Sequence, residues 1–503
     1  MRRLILIAML LGLGALTIQA QRIGCIHTEQ RATTRSADRE LPSPVDFDPQ
    51  KIYRVPVVLY SFSDTDFSMD DPKTYYHRML NEQGFNKGAG PGCLADYFRE
   101  QSGGRLNLQF DVYGPFKVDN TAGGHIVNKY YYGYENVESA TEQLCQTETT
   151  DFSKYYDWNG DGRVEQVLFL AAGFSGNQVK GYSWPSTTHE SLRLPGGIYS
   201  DLASITCELW SDGSLWGFGV MAHEFCHCLG LPDIYPLKPA TILSVADEWD
   251  LMDGGNYTNK GWCPPNLTAM ERMYLGWDQP VELKEPTTVT GMKPLSAGGT
   301  TYIIRNSGHE NEYYLLENRR QDGWDSGCPG NGLLIAHVIF RQYSWENNQV
   351  NISDSFFRYD VVHADGKFYI DWDPTNEGKD PGKYTMDDCM RSRYFSTTTY
   401  PYTNLDTQVL NDMLTDTSSP AAVLYYDNAE GSMVMGKPIT NIRLADDGTI
   451  SFDFMGGTTG IETLAPDLSP EAGVWYDLQG RRLKGKPTRK GIYVHDFNKV
   501  VVK

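Results

Sequence analysis

The apolar positions of the chain fall into distinct regimes. Residues 4–16 form one apolar run behind Arg2 and Arg3. KIYRVPVVLYSF and QVLFLAAGF (166–174) are shorter runs in which nearly every position is hydrophobic. Such runs predict strands buried on both faces. Residues 72–103 carry helical spacing, and WGFGVMAHEFCHCLG (216–230) predicts a helix that Gly230 ends. From about residue 280 the pattern changes. TYIIRN, EYYLLEN, GLLIAHVIF, YDVVHADG, AAVLYYDN and TISFDFMG are short apolar or alternating runs between turn signals. They predict an all-β, sandwich-like region.

At 503 residues the chain is too long for one ordinary core. The pattern divides it as follows. Residues 1–20 read as a signal peptide, because the apolar run is too short to span a bilayer and Ile18-Gln19-Ala20 ends in a small residue. Residues 21–50 are a flexible leader or pro-segment. Residues 51–280 are a domain of mixed strands and helices, classed as α+β and expected to be the catalytic one from the motif described below, and 281–455 a β-rich domain. Residues 456–473, rich in Gly, Thr and Pro, are a linker. Residues 474–503 are a small, locally basic β unit. The expected setting is secreted or cell-surface, with no transmembrane segment in the mature chain.

Composition narrows the function. The formal net charge is −20, and no basic patch carries interleaved aromatics, which argues against nucleic acid. With 31 Tyr, 20 Phe and 11 Trp the chain is not disordered in composition. Nine cysteines at loose spacing do not make a disulfide framework.

The chemistry concentrates in MAHEFCHCLGLPDIY (221–235). His223 and His227 are four apart on a predicted helix, so both rings can address one ion. Glu224 beside them is placed to act as general base on a water activated by zinc. Gly230 permits a sharp turn that returns Asp233 to the ion, and Glu248 is the rival third ligand. Met252 precedes Asp253-Gly254-Gly255, strong turn chemistry. Tyr257 is a weaker candidate for polarising a substrate carbonyl. Cys226 and Cys228 point away from His227 on the helix and read as buried thiols, or one of them as part of a disulfide. In DWNGDGRVE (157–165), Asp157, Asn159 and Asp161 stand at positions 1, 3 and 5 of a calcium loop. Gly162 allows its turn, Arg163 offers a carbonyl, and Glu165 stands at position 9. Position 12 is Leu168, so the expected Ca²⁺ site is truncated and structural.

The chain resembles the immune inhibitor A family of secreted zinc metallopeptidases, of metzincin type. The resembling segments are VPVVLYSFSD (55–64), LADYFREQSGGRLNLQFDVYGPF (94–116), DWNGDGRVEQVLFLAAG (157–173), HEFCHCLGLPD, WDLMDGG (249–255), MERMYLGW (270–277) and ENEYYLLENRRQDGWD (310–325). The resemblance implies a metzincin-like fold and zinc endopeptidase activity on proteins or peptides. It implies His223, His227 and Asp233 as zinc ligands, Glu224 as base, and Met252 as an apolar floor beneath the histidines. The cysteine at 226, where glycine is more usual, is a departure. YDLQGRR (476–482), KGIYV (490–494) and KVVVK (499–503) resemble sorting domains of type IX secretion, which implies secretion machinery as a partner. The alternative function is a non-catalytic surface adhesin that keeps the metalloprotease fold and binds through its β-rich region. Gly173-Phe174-Ser175-Gly176-Asn177 misses the serine-hydrolase pattern at its last position.

Overall fold

The structure, a computed structural model, describes residues 41, 43–85, 90–123, 133–176, 182–237, 244–352, 356–366, 396–404, 407–458, 473–496 and 498–502. The expected signal peptide, residues 21–40 of the leader and most of the linker lie outside them. Among the described residues, no helix is long and apolar enough to cross a membrane.

The first unit is mixed α/β. Its sheet is built from β1 (Ile52–Ser61), β2 (Asn107–Lys117), β3 (Arg163–Phe174), β4 (Ser186–His189) and β5 (Tyr199–Leu209), in the order β2-β1-β3-β5-β4. Its first four strands in that order are parallel, and β4 runs antiparallel along the edge. Both faces of the sheet are covered, which explains the uninterrupted apolar runs. β1 sends Val55, Val57 and Leu59 into one core and Val58 and Tyr60 into another on the opposite face. The first core takes α1 (Pro72–Asn81) and α2 (Leu94–Gln101). The second takes α3 (Tyr134–Thr147) and the short α4 (Phe152–Tyr155).

The expected helix at 216–230 is α5 (Gly219–Cys228), buried along its whole length. Its apolar residues join the first core, where the Phe225 ring lies 4.9 Å from that of Phe98 on α2. Gly219 has no room for any side chain: a Cβ there would come within 2.3 Å of the Asn256 carbonyl oxygen. α6 (Ala269–Tyr274) follows, opened by a capping box between Thr268 and Glu271.

Beyond it strands dominate. β6 (Val281–Glu282), β8 (Tyr302–Arg305), β9 (Glu312–Arg319), β10 (Gly332–Ile339) and β11 (Tyr359–Val361) form a second sheet. β7 (Thr287–Met292) pairs with strand Ile450–Phe454 in a third, three-stranded sheet. The two sheets enclose a third core, as a sandwich requires: Tyr314, Leu316, Leu333 and Ile335 meet Val289, Ile450, Phe452 and Phe454. The opposite faces of β9 and β10 carry Tyr313, Leu315, Leu334, Ala336 and Val338 into the core of α5. The hydrophobic core therefore crosses residue 280 without interruption. AAVLYYDN makes only isolated bridges, at Ala421 and Val423, and not the expected strand; these residues pack against the C-terminal unit. That unit is a four-stranded sheet resting Tyr476 and Val494 on Ala421, Val423 and Met433.

Candidate metal centre

The two histidines of α5 are fully buried, and each ring is held through Nδ1 by a backbone carbonyl. His223 Nδ1 lies 2.9 Å from the Leu251 oxygen and His227 Nδ1 2.8 Å from that of Leu231. Both bonds come from turns. Gly230, at φ +96°, ends α5 in a Schellman motif, with Gly230 N–H donating to His227 O and Leu231 N–H to Cys226 O. The reversed chain puts the Leu231 carbonyl under one imidazole and carries Asp233 back toward both. A carbonyl at Nδ1 accepts a hydrogen bond from that N–H and leaves Nε2 to face a ligand.

The Nε2 atoms converge on Asp233. Its Oδ1 lies 3.1 Å from His223 and 3.6 Å from His227, and one ligand atom from each of the three residues lies within 4.8 Å of the others. All three side chains have no exposure to solvent. Burial opposes a charged ring at His223, but the Asp233 carboxylate outweighs it and lifts the imidazole to about 9. That proton sits where a cation would. Two imidazoles and one carboxylate suit zinc and leave room for a further ligand. Among the described residues this is the one His/Cys/Asp/Glu group of that kind. Glu248 lies outside it, on a short 3₁₀ turn.

The turn after Glu248 supports the site. Met252 is fully buried; its N–H donates to Asp250 Oδ1, and its carbonyl accepts from Ile234 N–H. Asp253 Oδ2 accepts N–H bonds from Val245, Ala246 and Asp247 and so closes the loop. Below it, the buried Arg319 of β9 bonds the Trp249 and Asn266 carbonyls and pairs with Glu317 and Asp325 at 2.9 Å each. The Tyr257 ring is buried against Trp216 and Trp210.

Glu224 is buried and faces the sheet. Its Oε2 accepts from Thr187 Oγ1 at 2.5 Å. Thr187 Oγ1 lies 2.7 Å from Ser204 Oγ, its register partner across β4 and β5, and Gln166 Nε2 on β3 donates to Ser204 Oγ at 2.5 Å. The same amide nitrogen donates to the Glu224 carbonyl at 2.9 Å, which fixes it as a donor. The proton order therefore runs from Gln166 through Ser204 and Thr187 to the carboxylate. The sequence reading missed these three residues: Thr187 lies in the short polar strand STTH, and Gln166 and Ser204 share their strands with other polar side chains, so none stands out locally. It also missed Tyr235, whose ring lies parallel to that of His223 at 6.5 Å, and Asn348, which bonds Asp233.

Residues 157–165 form a tight turn closed by their own side chains. Asp157 accepts from Gly160 and Gly162 N–H, Asn159 from Asp161 N–H, and Asp161 from Arg163 N–H. Glu165 accepts from Trp158 and Asn159 N–H, and burial pushes its carboxyl up to about 7. The three carboxylates are not brought together as a cluster comparable to that of the histidines. Cys226 and Cys228 are free buried thiols, raised far above the ordinary range by burial.

A buried helix that offers two imidazoles, with an aspartate returned beside them, is compatible with a metal site. Residues 211–279 match the profile of the immune inhibitor A peptidase M6 catalytic domain. The chain is also similar to the pre-pro-metalloprotease PrtV in two strains of Vibrio cholerae serotype O1, with 22% identity over 239 residues. That alignment covers 41% of this chain and 26% of the relative, so the chain spans about a quarter of the length of the curated proteins it matches. The family match falls on the segment that carries His223, Glu224, His227 and Asp233.

Proposed function

We propose that the chain is an exported zinc-dependent endopeptidase of metzincin type, in which His223, His227 and Asp233 hold the ion and Glu224 is the general base. The observation that carries this reading is the convergence of two Nε2 atoms and Asp233 Oδ1 in a buried site, one residue from Glu224. Zinc, when bound, supplies a Lewis acid that polarises the scissile carbonyl and acidifies water. Glu224 takes a proton from the attacking water and delivers it to the leaving amine. Thr187 holds one oxygen of that carboxylate as an acceptor, and the carbonyls of Leu251 and Leu231 keep the imidazoles aimed. Met252 and Leu251 form the floor that keeps solvent from below. We further propose that residues 157–165 take a structural Ca²⁺, a reading supported by the sequence spacing of Asp157, Asn159, Asp161, Arg163 and Glu165, and that the C-terminal unit serves export.

Glu224→Ala tests the central claim. The variant should retain zinc and lose casein cleavage by a factor of about 10²–10⁴, the usual contribution of a positioned base. Unchanged cleavage sinks the role given to Glu224. Zinc in the unsubstituted chain without cleavage at any pH would favour the adhesin.

A further inference from the structure

Asp233 is gripped by a side chain from far outside the metal-binding helix. Asn348 follows α7 (Gln342–Glu346) in the β-rich region. Its Oδ1 accepts the Asp233 N–H at 2.6 Å, and its Nδ2 donates to Asp233 Oδ2 at 2.8 Å. The other carboxylate oxygen, Oδ1, is the one facing His223 and His227. The two oxygens thus have separate work: one is tied to an amide, and one is left for the ion.

The strap that delivers Asn348 is itself anchored. Trp345 and Val350 are buried in the core shared with α5. Asn348 has φ +51°, a left-handed conformation that asparagine tolerates better than most residues. Three residues on, Asn351 Nδ2 donates to the Ile234 and Tyr359 carbonyls, and Leu237 N–H donates to the Asn351 carbonyl. The loop that carries Asp233 is therefore pinned at Asp233, Ile234 and Leu237 by one segment, 348–351. That segment lies beyond residue 279, where the family match ends.

We propose that Asn348 is a positioning residue that holds Asp233 as a one-oxygen metal ligand, so that the strap from the β-rich region is part of the metal centre. The inference rests on the metal reading given above. An amide suits the task because one planar head supplies both the acceptor for the N–H and the donor for the carboxylate, without adding charge. Tying Oδ2 keeps Asp233 from closing on the ion with both oxygens, and the position this saves stays available to water and substrate. Partners of metal ligands of this kind typically contribute about 10–100-fold to metal affinity.

The experiment uses the full chain. Zinc affinity is measured by competition with a chromophoric chelator for the parent and for Asn348→Gly, which keeps the left-handed backbone and removes both bonds. Zinc binding should weaken about 10–100-fold, while the metal-free unfolding midpoint stays close to the parent's. Cobalt(II) loading gives a second readout. In Asn348→Gly, and in Asn348→Asp, which keeps the size and backbone preference but lacks the amide donor, the visible absorption should fall as Asp233 swings to two-oxygen binding and coordination rises. Should the glycine variant be loosened when metal-free, the cobalt spectrum of Asn348→Asp decides alone. Parent-like zinc affinity together with a parent-like cobalt spectrum overturns the assignment. A parent chain that takes up neither zinc nor cobalt overturns the metal reading and this inference together; a parent that binds both metals keeps the two questions separate.

Discussion

His223 Nδ1 sits 2.9 Å from the Leu251 carbonyl, 28 residues along the chain, while its Nε2 meets Asp233. With a partner on each nitrogen and the Asp233 charge beside it, the metal-free ring keeps its proton up to about 9 against the pull of burial. A cation must displace that proton. Zinc uptake at neutral pH should release about one proton per site from this ring, and the release should fade as pH rises through about 9. Calorimetry in buffers of different ionisation enthalpy measures it; heats that do not vary with buffer would refute the arrangement. The same titration should raise the unfolding free energy by about 4 kcal/mol at a thousandfold excess of zinc over its dissociation constant.

Thr187 tests the orientation of the base. A hydrogen bond donated to a carboxylate stabilises its charged form by about 1.5–3 kcal/mol, and a pH unit is about 1.4 kcal/mol. Thr187→Val keeps the shape and removes the donor. The acid limb of kcat/KM should then move to higher pH by about one to two units, with zinc content unchanged. Thr187→Ser should restore the parent profile. An acid limb that stays in place in the valine variant means the hydroxyl relay does not act on Glu224.

Arg319 ties the second sheet to the floor of the site, and its guanidinium has no exposure to solvent. Removing it leaves Glu317 and Asp325 without their cation and the Trp249 and Asn266 carbonyls without this donor. Arg319→Met should cost about 3–5 kcal/mol, the usual result of breaking a buried pair from one side. Urea unfolding measures this, and a loss below about 1 kcal/mol, the level of an exposed pair, would contradict it.

What the sequence disclosed and what it hid follow from range. His223, His227, Gly230 and Asp233 were legible because one helical turn and one glycine reversal set their spacing. β1 and β3 were legible because burial on both faces leaves no polar alternation. The supports of the site were not legible. Asn348 reaches Asp233 across 115 residues, and Gln166 meets Ser204 across 38, so neither has a local signature. The continuous core across residue 280 leaves a trace in the sequence. EYYLLEN and GLLIAHVIF are apolar at consecutive positions, as strands covered on both faces should be, and the second cover is the core that contains α5.

The last expectation concerns acid groups beneath the Met252 turn. Burial raises both Asp250 and Glu271, which share a hydrogen bond, and Glu271 reaches about 7 from an ordinary value of 4.5. A carboxyl whose pKa is raised by folding binds protons more tightly in the folded chain. Its contribution is therefore largest at low pH and is lost as pH rises from about 4.5 to about 7. Asp253, raised to about 6 by burial and by Asp247, acts with the same sign over a lower window. Glu271→Gln keeps an acceptor for the Thr268 N–H and hydroxyl but cannot ionise. Urea midpoints measured from pH 5 to pH 8 should fall for the parent and fall less for the variant, so that the variant gains relative stability toward pH 8. Parallel curves would show that Glu271 titrates no differently in the folded and unfolded chains. Because Asp250 Oδ1 accepts the Met252 N–H, and the neighbouring Leu251 carbonyl aims His223, the same substitution also asks whether the charge below the turn reaches the metal centre. Zinc affinity of Glu271→Gln equal to the parent's at pH 8 would confine that charge to stability alone.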